Sequence, residues 1–415
     1  MRAVRALTLG ISMALGGGLA TAALLPAIAV AGEPAAPSIG PKVGKPMKAA
    51  QDAMKAKNWA EALAKTKEAQ AIEGKTPFEE YQINEFLGFI LINQKDYAGA
   101  SAAFEKNVNS GQVPAAELNN KLKTLAQLTF QTKQYPKAID YTGRYLKAVP
   151  GETEMQMLLA QAHYLQKNYK GASEAALPAI VASERAGKKP DENWLLLLMR
   201  SNYELNDNGG ISTALEKLVR HYPKPDYWDG LLSTMAKTGE RNDRLTLGIY
   251  RLRLETGTLK RAEDYVEMGQ LAIDAGVPGE AQQVVEAGFA NKLLDGAPDI
   301  KARNERLLAS AKKLVDEDKA TIANEAKTAQ AAASGQADVG VGQAYLSYGQ
   351  YDQAIEALER GIKKGGIKLP EEAQISLGIA YLKKGQKAQA QTAFKAVTGE
   401  TPWARLAGLW ALRAS

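Results

Sequence analysis

Apolar and small residues recur at helical spacing along the chain, and the pattern is clearest in the stretch 371–402. Gly378 and Tyr381 lie on one apolar stripe of its first half, and Ala390 and Phe394 share one face of its second half. Because Gly378 and Ala390 are both small, two helices can approach closely there while the aromatic rings fill the flanks. The pattern therefore predicts two short helices joined by a tight turn.

Two residues mark where these helices end. Gly385 is expected at the carboxyl end of the first helix in the left-handed conformation, which a residue without Cβ adopts at little cost. Pro402 ends the second helix because proline has no N–H with which to continue the hydrogen-bond ladder.

The same pattern recurs along the chain and can be followed by the small residue of the second helix. The spacings between its first four occurrences, Ala62, Ala100, Ala138 and Ala172, are 38, 38 and 34 residues. An aromatic residue precedes each alanine by three positions. The pattern returns at Ala214, Ala281, Ala354 and Ala390 and is degenerate over 226–257, where Arg244 or its neighbours occupy the small position.

The order Gly-x-x-Tyr, Ala, Phe and Pro in 371–402 resembles the tetratricopeptide repeat. This resemblance implies an all-α solenoid, a right-handed superhelix of about ten helical pairs in which the first helix of each pair lines the concave face. The predicted segments are a solenoid over 47–298, a degenerate helical pair over 299–333, a C-terminal repeat pair over 334–402 and a capping helix over 403–415.

The amino terminus is predicted to be a targeting segment. Residues 1–31 combine Arg2 and Arg5, an apolar core and an Ala29-Val30-Ala31 ending, which is typical of a signal peptide cleaved before Gly32. An uncleaved anchor is the alternative, since the apolar run is long enough to span a bilayer. Residues 32–46 contain four prolines and are predicted to form an extended tether or a disordered remainder of export.

Composition argues against several classes of function. The chain has no cysteine, which suits an oxidising compartment and excludes thiolate chemistry, and its net charge of +6 is too small to indicate nucleic-acid binding. Its two histidines, His163 and His221, fall in different repeats, and no phosphate-binding or dinucleotide-binding motif is present. We therefore expect a non-catalytic protein without cofactor or metal, and no membrane span after signal cleavage.

Residues at fixed offsets from the small position of each first helix are expected to face the concave groove. Their mixture of amides, aromatic rings and a single cation suits an extended peptide, although a merely solvated inner face is an equal alternative. The predicted partner-binding residues are Phe89, Asn120, Lys123, Gln127, Phe130, Gln161, Tyr164, Gln270 and Gln343.

More narrowly, the chain resembles exported tetratricopeptide repeat proteins of Gram-negative bacteria that are encoded beside TonB, ExbB and ExbD genes. The resemblance rests on the signal segment, the DAMKAKNWAEAL repeat, the GVPGEA repeat and the final repeats that run into a Leu/Trp tail. It implies a periplasmic protein-binding adaptor accessory to a TonB-type energy-transducing transport system. A scaffold for cell-envelope or outer-membrane assembly is the alternative.

Overall fold

The structure is a computed structural model that describes residues 38–238 and 242–415. The predicted signal segment 1–31 and the start of the predicted tether lie outside these described residues. Within them the chain forms twenty α-helices and no strand, as predicted. The chain divides into two compact units, and the division falls between Ala214 and Leu215. None of the described helices combines the length and apolar character that crossing a bilayer requires.

The first unit is built from consecutive helical pairs. Its helices are α1 Pro41–Lys55, α2 Trp59–Gln70, α3 Pro77–Asn93, α4 Tyr97–Ser110, α5 Ala115–Gln131, α6 Tyr135–Ala148, α7 Thr153–Leu165, α8 Tyr169–Arg185 and α9 Glu192–Glu204. Helix α10, Asn208–His221, contains the boundary between the two units.

The second unit continues with helical pairs around one much longer helix. Its helices are α11 Pro225–Thr238, α12 Asp243–Glu255, α13 Ala262–Asp274, α14 Pro278–Ala290, α15 Pro298–Ala331, α16 Gln336–Ser347, α17 Tyr351–Lys364, α18 Pro370–Lys383, α19 Lys387–Lys395 and α20 Pro402–Ala414.

Close helix approach explains the small residues of the repeat. A Cβ on Gly88 would lie 2.3 Å from the Phe104 ring, and a Cβ on Gly378 would lie 2.3 Å from the Phe394 ring. The alanines that mark the second helices, such as Ala390, are fully buried. The predicted α-solenoid packing of helical pairs is therefore confirmed. Each of these glycines leaves space beside its helix, and the phenylalanine ring of the paired helix fills that space.

The turn between the two helices of a pair contains one residue with positive φ. Gly385 has a φ of 82°, as the sequence predicts, but lysines occupy the equivalent position in the first four pairs. Lys57, Lys95, Lys133 and Lys167 have φ values of 57°, 63°, 61° and 58°. A residue with a Cβ is disfavoured there by about 1–2 kcal/mol, so the surrounding helix packing holds these lysines in place.

The prediction of an extended tether is wrong for residues 41–46, which form the first turns of α1. Pro41 lies at the start of the helix, where its missing N–H would have no partner in any case. Val43 and Met47 then pack into the same apolar cluster as Phe86. This burial outweighs the hydrogen bond that Pro46 cannot make inside the helix.

The prediction of a degenerate helical pair over 299–333 is also wrong, because α15 is a single helix of 34 residues. After Pro298 the helix contains no glycine or proline that could end it. Its buried residues, Asn304, Ala311, Val315, Ile322 and Ala329, form one stripe that packs against the neighbouring pairs. A polar, alanine-rich sequence thus continues as one helix where two were expected.

Candidate functional site

The first helices of neighbouring pairs form one continuous face of the first unit. Helix α1 contacts α3, an ion pair between Glu85 and Lys121 links α3 to α5, α5 contacts α7, and α7 contacts α9. Seven of the nine predicted partner-binding residues lie on α3, α5 and α7, whereas Gln270 and Gln343 lie in the second unit.

The structure leaves six of the seven predicted residues of the first unit accessible. Asn120 is exposed, and the other five, Phe89, Lys123, Gln127, Gln161 and Tyr164, are half-buried. Two of these are aromatic residues whose rings pack edge-on against another ring, Phe89 with Trp59 at 5.9 Å and Tyr164 with Tyr169 at 5.4 Å between centroids. We call these six residues the first-helix face.

Phe130 and Gln343 do not have the expected exposure. Phe130 is only 5 % exposed, and its ring packs edge-on against Tyr135 at 5.6 Å. Gln343 is 8 % exposed and its amide donates to the Ser376 hydroxyl at 3.2 Å. Neighbouring helices cover both side chains. The prediction counted the same offsets from the small residue in every pair (the offset rule), so it could not reveal differences between pairs.

Gln270 is exposed, as expected for a surface residue, but its amide is already engaged within its own helix. It donates to Asp274 one turn later, at 3.0 Å. Gln270 belongs to the second unit and is therefore not counted in the first-helix face.

Three amides of the first-helix face have unused hydrogen-bonding capacity. The side chains of Asn120, Gln127 and Gln161 make no hydrogen bond to any residue in the described part of the chain. Gln127 and Gln161 occupy equivalent positions in successive pairs, each directly after the small alanine of its helix. An amide supplies both a donor and an acceptor, so this array matches the alternating groups of a peptide backbone.

The cation predicted for this face is not free. Lys123 forms an ion pair with Glu152, and the same carboxylate accepts a hydrogen bond from the Tyr145 hydroxyl. Burial raises the pKa of Glu152, but the bonds from Lys123 and Tyr145 outweigh it and the net pKa lies below the usual range. Burial and the bonded carboxylate raise the pKa of Tyr145 to about 12.

A second cluster of the same composition lies on the second helices of the unit. Glu105 accepts hydrogen bonds from Lys137 at 2.7 Å and from the Tyr141 hydroxyl at 2.6 Å. The sequence analysis did not predict a role for Glu152 or Glu105. The lysine paired with each lies about thirty residues away along the chain, so no short spacing marks the ion pair. The structure thus joins successive pairs through ion pairs and leaves the face itself nearly neutral.

The lowered pKa of Glu152 gives a testable pH dependence. A carboxylate whose pKa is lower when folded contributes stability that is present above its unfolded pKa and is lost as the pH falls through the folded pKa. Between about pH 5 and pH 3, the native chain should therefore lose more unfolding free energy than a Glu152→Gln variant. Urea unfolding at several pH values measures this difference, and parallel curves would contradict the pairing.

Metal and acid–base chemistry have little support in the described residues. No group of three or more His, Cys, Asp or Glu side chains among them is placed to hold a metal ion. His163 is half-buried, with its Nδ1 3.2 Å from the Asn168 amide nitrogen, and burial lowers its pKa. Its surroundings are those of a packed side chain.

Comparison with known proteins identifies the repeat. The family model described as tetratricopeptide repeat matches residues 124–187 and 341–404. A search of curated proteins finds no match.

Solved structures with likeness to the chain include three bacterial proteins. MamA from Desulfovibrio magneticus is 20 % identical, with 45 % of this chain and 96 % of that chain covered and a TM-score of 0.32. A tetratricopeptide repeat protein from Parabacteroides merdae is 14 % identical, with 66 % and 100 % covered and a TM-score of 0.33. The C-terminal part of a repeat-containing protein from Cytophaga hutchinsonii is 13 % identical, with 65 % and 98 % covered and a TM-score of 0.33.

The likeness to the tetratricopeptide repeat rests on the two matched segments and on the helical pairs that they form. One matched segment lies in each compact unit. Both units therefore contain a segment that is similar to the tetratricopeptide repeat.

Proposed function

We propose that this chain is an exported, non-catalytic adaptor that binds an extended segment of a protein partner on its first-helix face. Tetratricopeptide repeats act as scaffolds for protein–protein interaction, so a protein partner is the expected ligand class. The observation that carries the proposal is the set of three amides, on Asn120, Gln127 and Gln161, that have no hydrogen-bond partner in the described chain.

The chemistry of the face favours recognition of a peptide backbone. An extended segment carries an N–H and a C=O on most residues, and the free amides can pair with both. Phe89 and Tyr164 add half-buried aromatic surface against which an apolar or proline side chain can pack. Because Lys123 is paired with Glu152, net charge contributes little to this recognition.

The cellular assignment is a second step of the proposal and rests on the sequence. The predicted signal peptide 1–31 supports a periplasmic location, and the resemblance to proteins encoded beside TonB genes supports a TonB-type energy-transducing system as the partner. Periplasmic segments of such a system are extended and proline-rich, which amides and aromatic rings can bind. N-terminal sequencing of the periplasmic protein should begin at Gly32, and a chain that begins at Met1 would contradict export.

Replacing Asn120, Gln127 and Gln161 together by Ala should weaken partner binding by about tenfold or more, since each lost hydrogen bond contributes about 0.5–1.5 kcal/mol. The melting temperature should stay unchanged, because these side chains bond to nothing within the described chain. Titration calorimetry with the periplasmic part of the TonB-type protein measures the affinity. The matched control replaces Gln94, Gln131 and Gln166, exposed amides at the carboxyl ends of α3, α5 and α7.

Crosslinking in intact cells decides between the two partner classes. Recovery of TonB-system components, together with poor growth of the triple variant on a scarce TonB-dependent nutrient, supports the proposed partner. If the variant grows normally and the native chain crosslinks to envelope-assembly factors, a scaffold for outer-membrane assembly replaces the transport role. Equal binding by the triple variant and the native chain would exclude the first-helix face itself.

A further inference from the structure

Four lysines occupy the same place in the first four helical pairs, in the turn that joins the two helices. Lys57, Lys95, Lys133 and Lys167 follow the carboxyl ends of α1, α3, α5 and α7, and each has a positive φ. All four are exposed, and their ammonium groups form no ion pair or hydrogen bond within the described part of the chain. We call these four residues the lysine rim.

The turns of the lysine rim lie along one edge of the first unit. The aromatic residue that follows each of the first three turns packs toward the carboxyl end of the next first helix. Trp59 packs edge-on against Phe89 of α3, at 5.9 Å between ring centroids. Tyr97 belongs to the cluster that contains Leu128 of α5, and Tyr135 belongs to the cluster that contains Ala162 of α7. Because packed helices lie about 8–10 Å apart, neighbouring lysines of the rim are roughly 10 Å apart.

The backbone conformation of these lysines is strained, and other turns of the chain do not require a lysine. In the second unit the equivalent turns contain Gly276, Gly349 and Gly385, which adopt a positive φ at little cost. Lys292 also has a positive φ, but it follows a second helix. The helix dipole favours a cation near a carboxyl end, yet the ammonium groups of the rim donate to no carbonyl in the described chain. Strain repeated in four consecutive turns therefore indicates a role for the lysine side chain.

The lysines outnumber the carboxylates of this edge. At the first two turns, Glu61 accepts from the Asn58 amide at 2.8 Å, and Asp96 accepts from the Gly99 N–H at 2.9 Å. Both carboxylates are thus engaged at the amino end of a second helix. The third and fourth turns, 131–136 and 165–170, contain no Asp or Glu. The lysine rim therefore presents a net positive charge to solvent.

Two exposed leucines lie at one end of the lysine rim. Leu165, two residues before Lys167, is 37 % exposed, and Leu205, in the fifth turn, is 41 % exposed. Glu204 and Asp207 flank the fifth turn, so the row of cations ends at the fourth. Apolar side chains and a lysine thus reach solvent together at this end of the rim.

We propose that the lysine rim binds the surface of a membrane that contains anionic phospholipids. Turns along one edge can approach a flat surface together, and each lysine near an anionic bilayer should raise the partition coefficient about fivefold. The exposed leucines favour a lipid surface over an acidic peptide, because the headgroup region accepts apolar side chains beside cations. The rim shares no residue with the first-helix face, so the proposed membrane contact is a function beyond partner binding.

The test measures sedimentation of the chain with phospholipid vesicles. The chain used begins at Gly32, so it contains every described residue and lacks the apolar segment 1–31. It should bind vesicles of phosphatidylcholine and phosphatidylglycerol in equal parts and should not bind phosphatidylcholine alone. A Lys57→Gly/Lys95→Gly/Lys133→Gly/Lys167→Gly variant should bind at least about a hundredfold more weakly, since four contributions of about fivefold are lost. Its melting temperature should not fall, because glycine relieves the positive φ.

A matched control removes the same charge elsewhere in the first unit. Lys42, Lys67, Lys106 and Lys147 are exposed and lie at least eight residues along a helix from the turns of the rim, which is about 12 Å. Changing these four to Gln should weaken vesicle binding by less than about fivefold, because cations more than a Debye length of about 10 Å from the surface contribute little.

Several results would overturn the proposal. These are a native chain that does not bind the anionic vesicles, equal binding to neutral vesicles, and equal losses for the rim and control variants. Should the glycine variant fail to fold, the same comparison is made with Gln at the four rim positions. A chain that binds a Glu-rich peptide and no vesicle has an acidic protein as its partner, which also overturns the membrane contact.

Discussion

Replacing Asp338 by Ala should lower the unfolding free energy of the second unit by about 3 kcal/mol, because the change leaves two half-buried cations without their buried counter-charge. The Asp338 carboxylate is fully buried on α16. The Arg360 Nε donates to it at 2.7 Å, and the Lys364 Nζ lies 2.7 Å from its second oxygen. Urea unfolding followed by circular dichroism measures the loss.

The position of Lys364 enlarges this effect. Its ammonium group also donates to the carbonyls of Ala329 and Gln330, at 2.8 and 2.9 Å, and so satisfies the carboxyl end of the long helix α15. Without Asp338 this junction of α15, α16 and α17 loses its central charge. Hydrogen exchange should therefore increase first at the end of α15, since contacts in a repeat array are mainly between neighbours.

A neighbouring carboxylate supplies the matched control for Asp338. Asp352 on α17 forms an ion pair with Lys384, but its side chain is 76 % exposed. Asp352→Ala should cost about 0–1 kcal/mol, as exposed ion pairs do. Equal losses for the Asp338 and Asp352 variants would contradict the argument that burial sets the magnitude.

The second large effect is expected at Arg251. Replacing Arg251 by Met should destabilise the second unit by about 3 kcal/mol, because its guanidinium is bidentate with Glu280 and also faces Glu372. The Arg251 side chain is only 13 % exposed and those of Glu280 and Glu372 are 17 and 5 % exposed. The single variant leaves both carboxylates poorly solvated and without this cation.

Neutralising the partners tests whether the loss is electrostatic. Adding Glu280→Gln and Glu372→Gln to Arg251→Met should recover most of the stability, because no uncompensated charge then remains. The exposed Lys313, paired with Glu317 on α15, serves as a control whose removal should have little effect. If the triple variant is as unstable as Arg251→Met, the loss comes from packing.

Local sequence predicted the helical pairs well because each depends on contacts within about forty residues. Gly378 against Phe394 and the turn at Gly385 follow from residue size and backbone freedom alone. The same local rules failed where a competing interaction was stronger. Apolar packing of Val43 and Met47 draws Pro46 into α1, and uninterrupted helix formers join the two expected helices of 299–333 into α15.

The candidate site was only partly predictable from sequence. Gln127 and Gln161 both follow the small residue of a regular first helix, and both side chains are half-buried and within reach of solvent. Their role in binding a partner stays a prediction. The offset rule could not indicate that Phe130 and Gln343 are covered, since their burial depends on the exact approach of the next helix. It also could not reveal that Lys123 is neutralised by Glu152, a residue from the next pair.

The sequence by itself predicted helical pairs that resemble the tetratricopeptide repeat, because its repeating small and aromatic positions favour close packing of helices, and the described residues are helical throughout their regular elements. Only the tertiary structure decided how the second unit closes. Arg244, Gly248 and Glu255 meet α18 and α20 across more than 110 residues of chain, a distance over which no periodic pattern carries information. Which charges are paired and which amides stay free depends on these distant contacts.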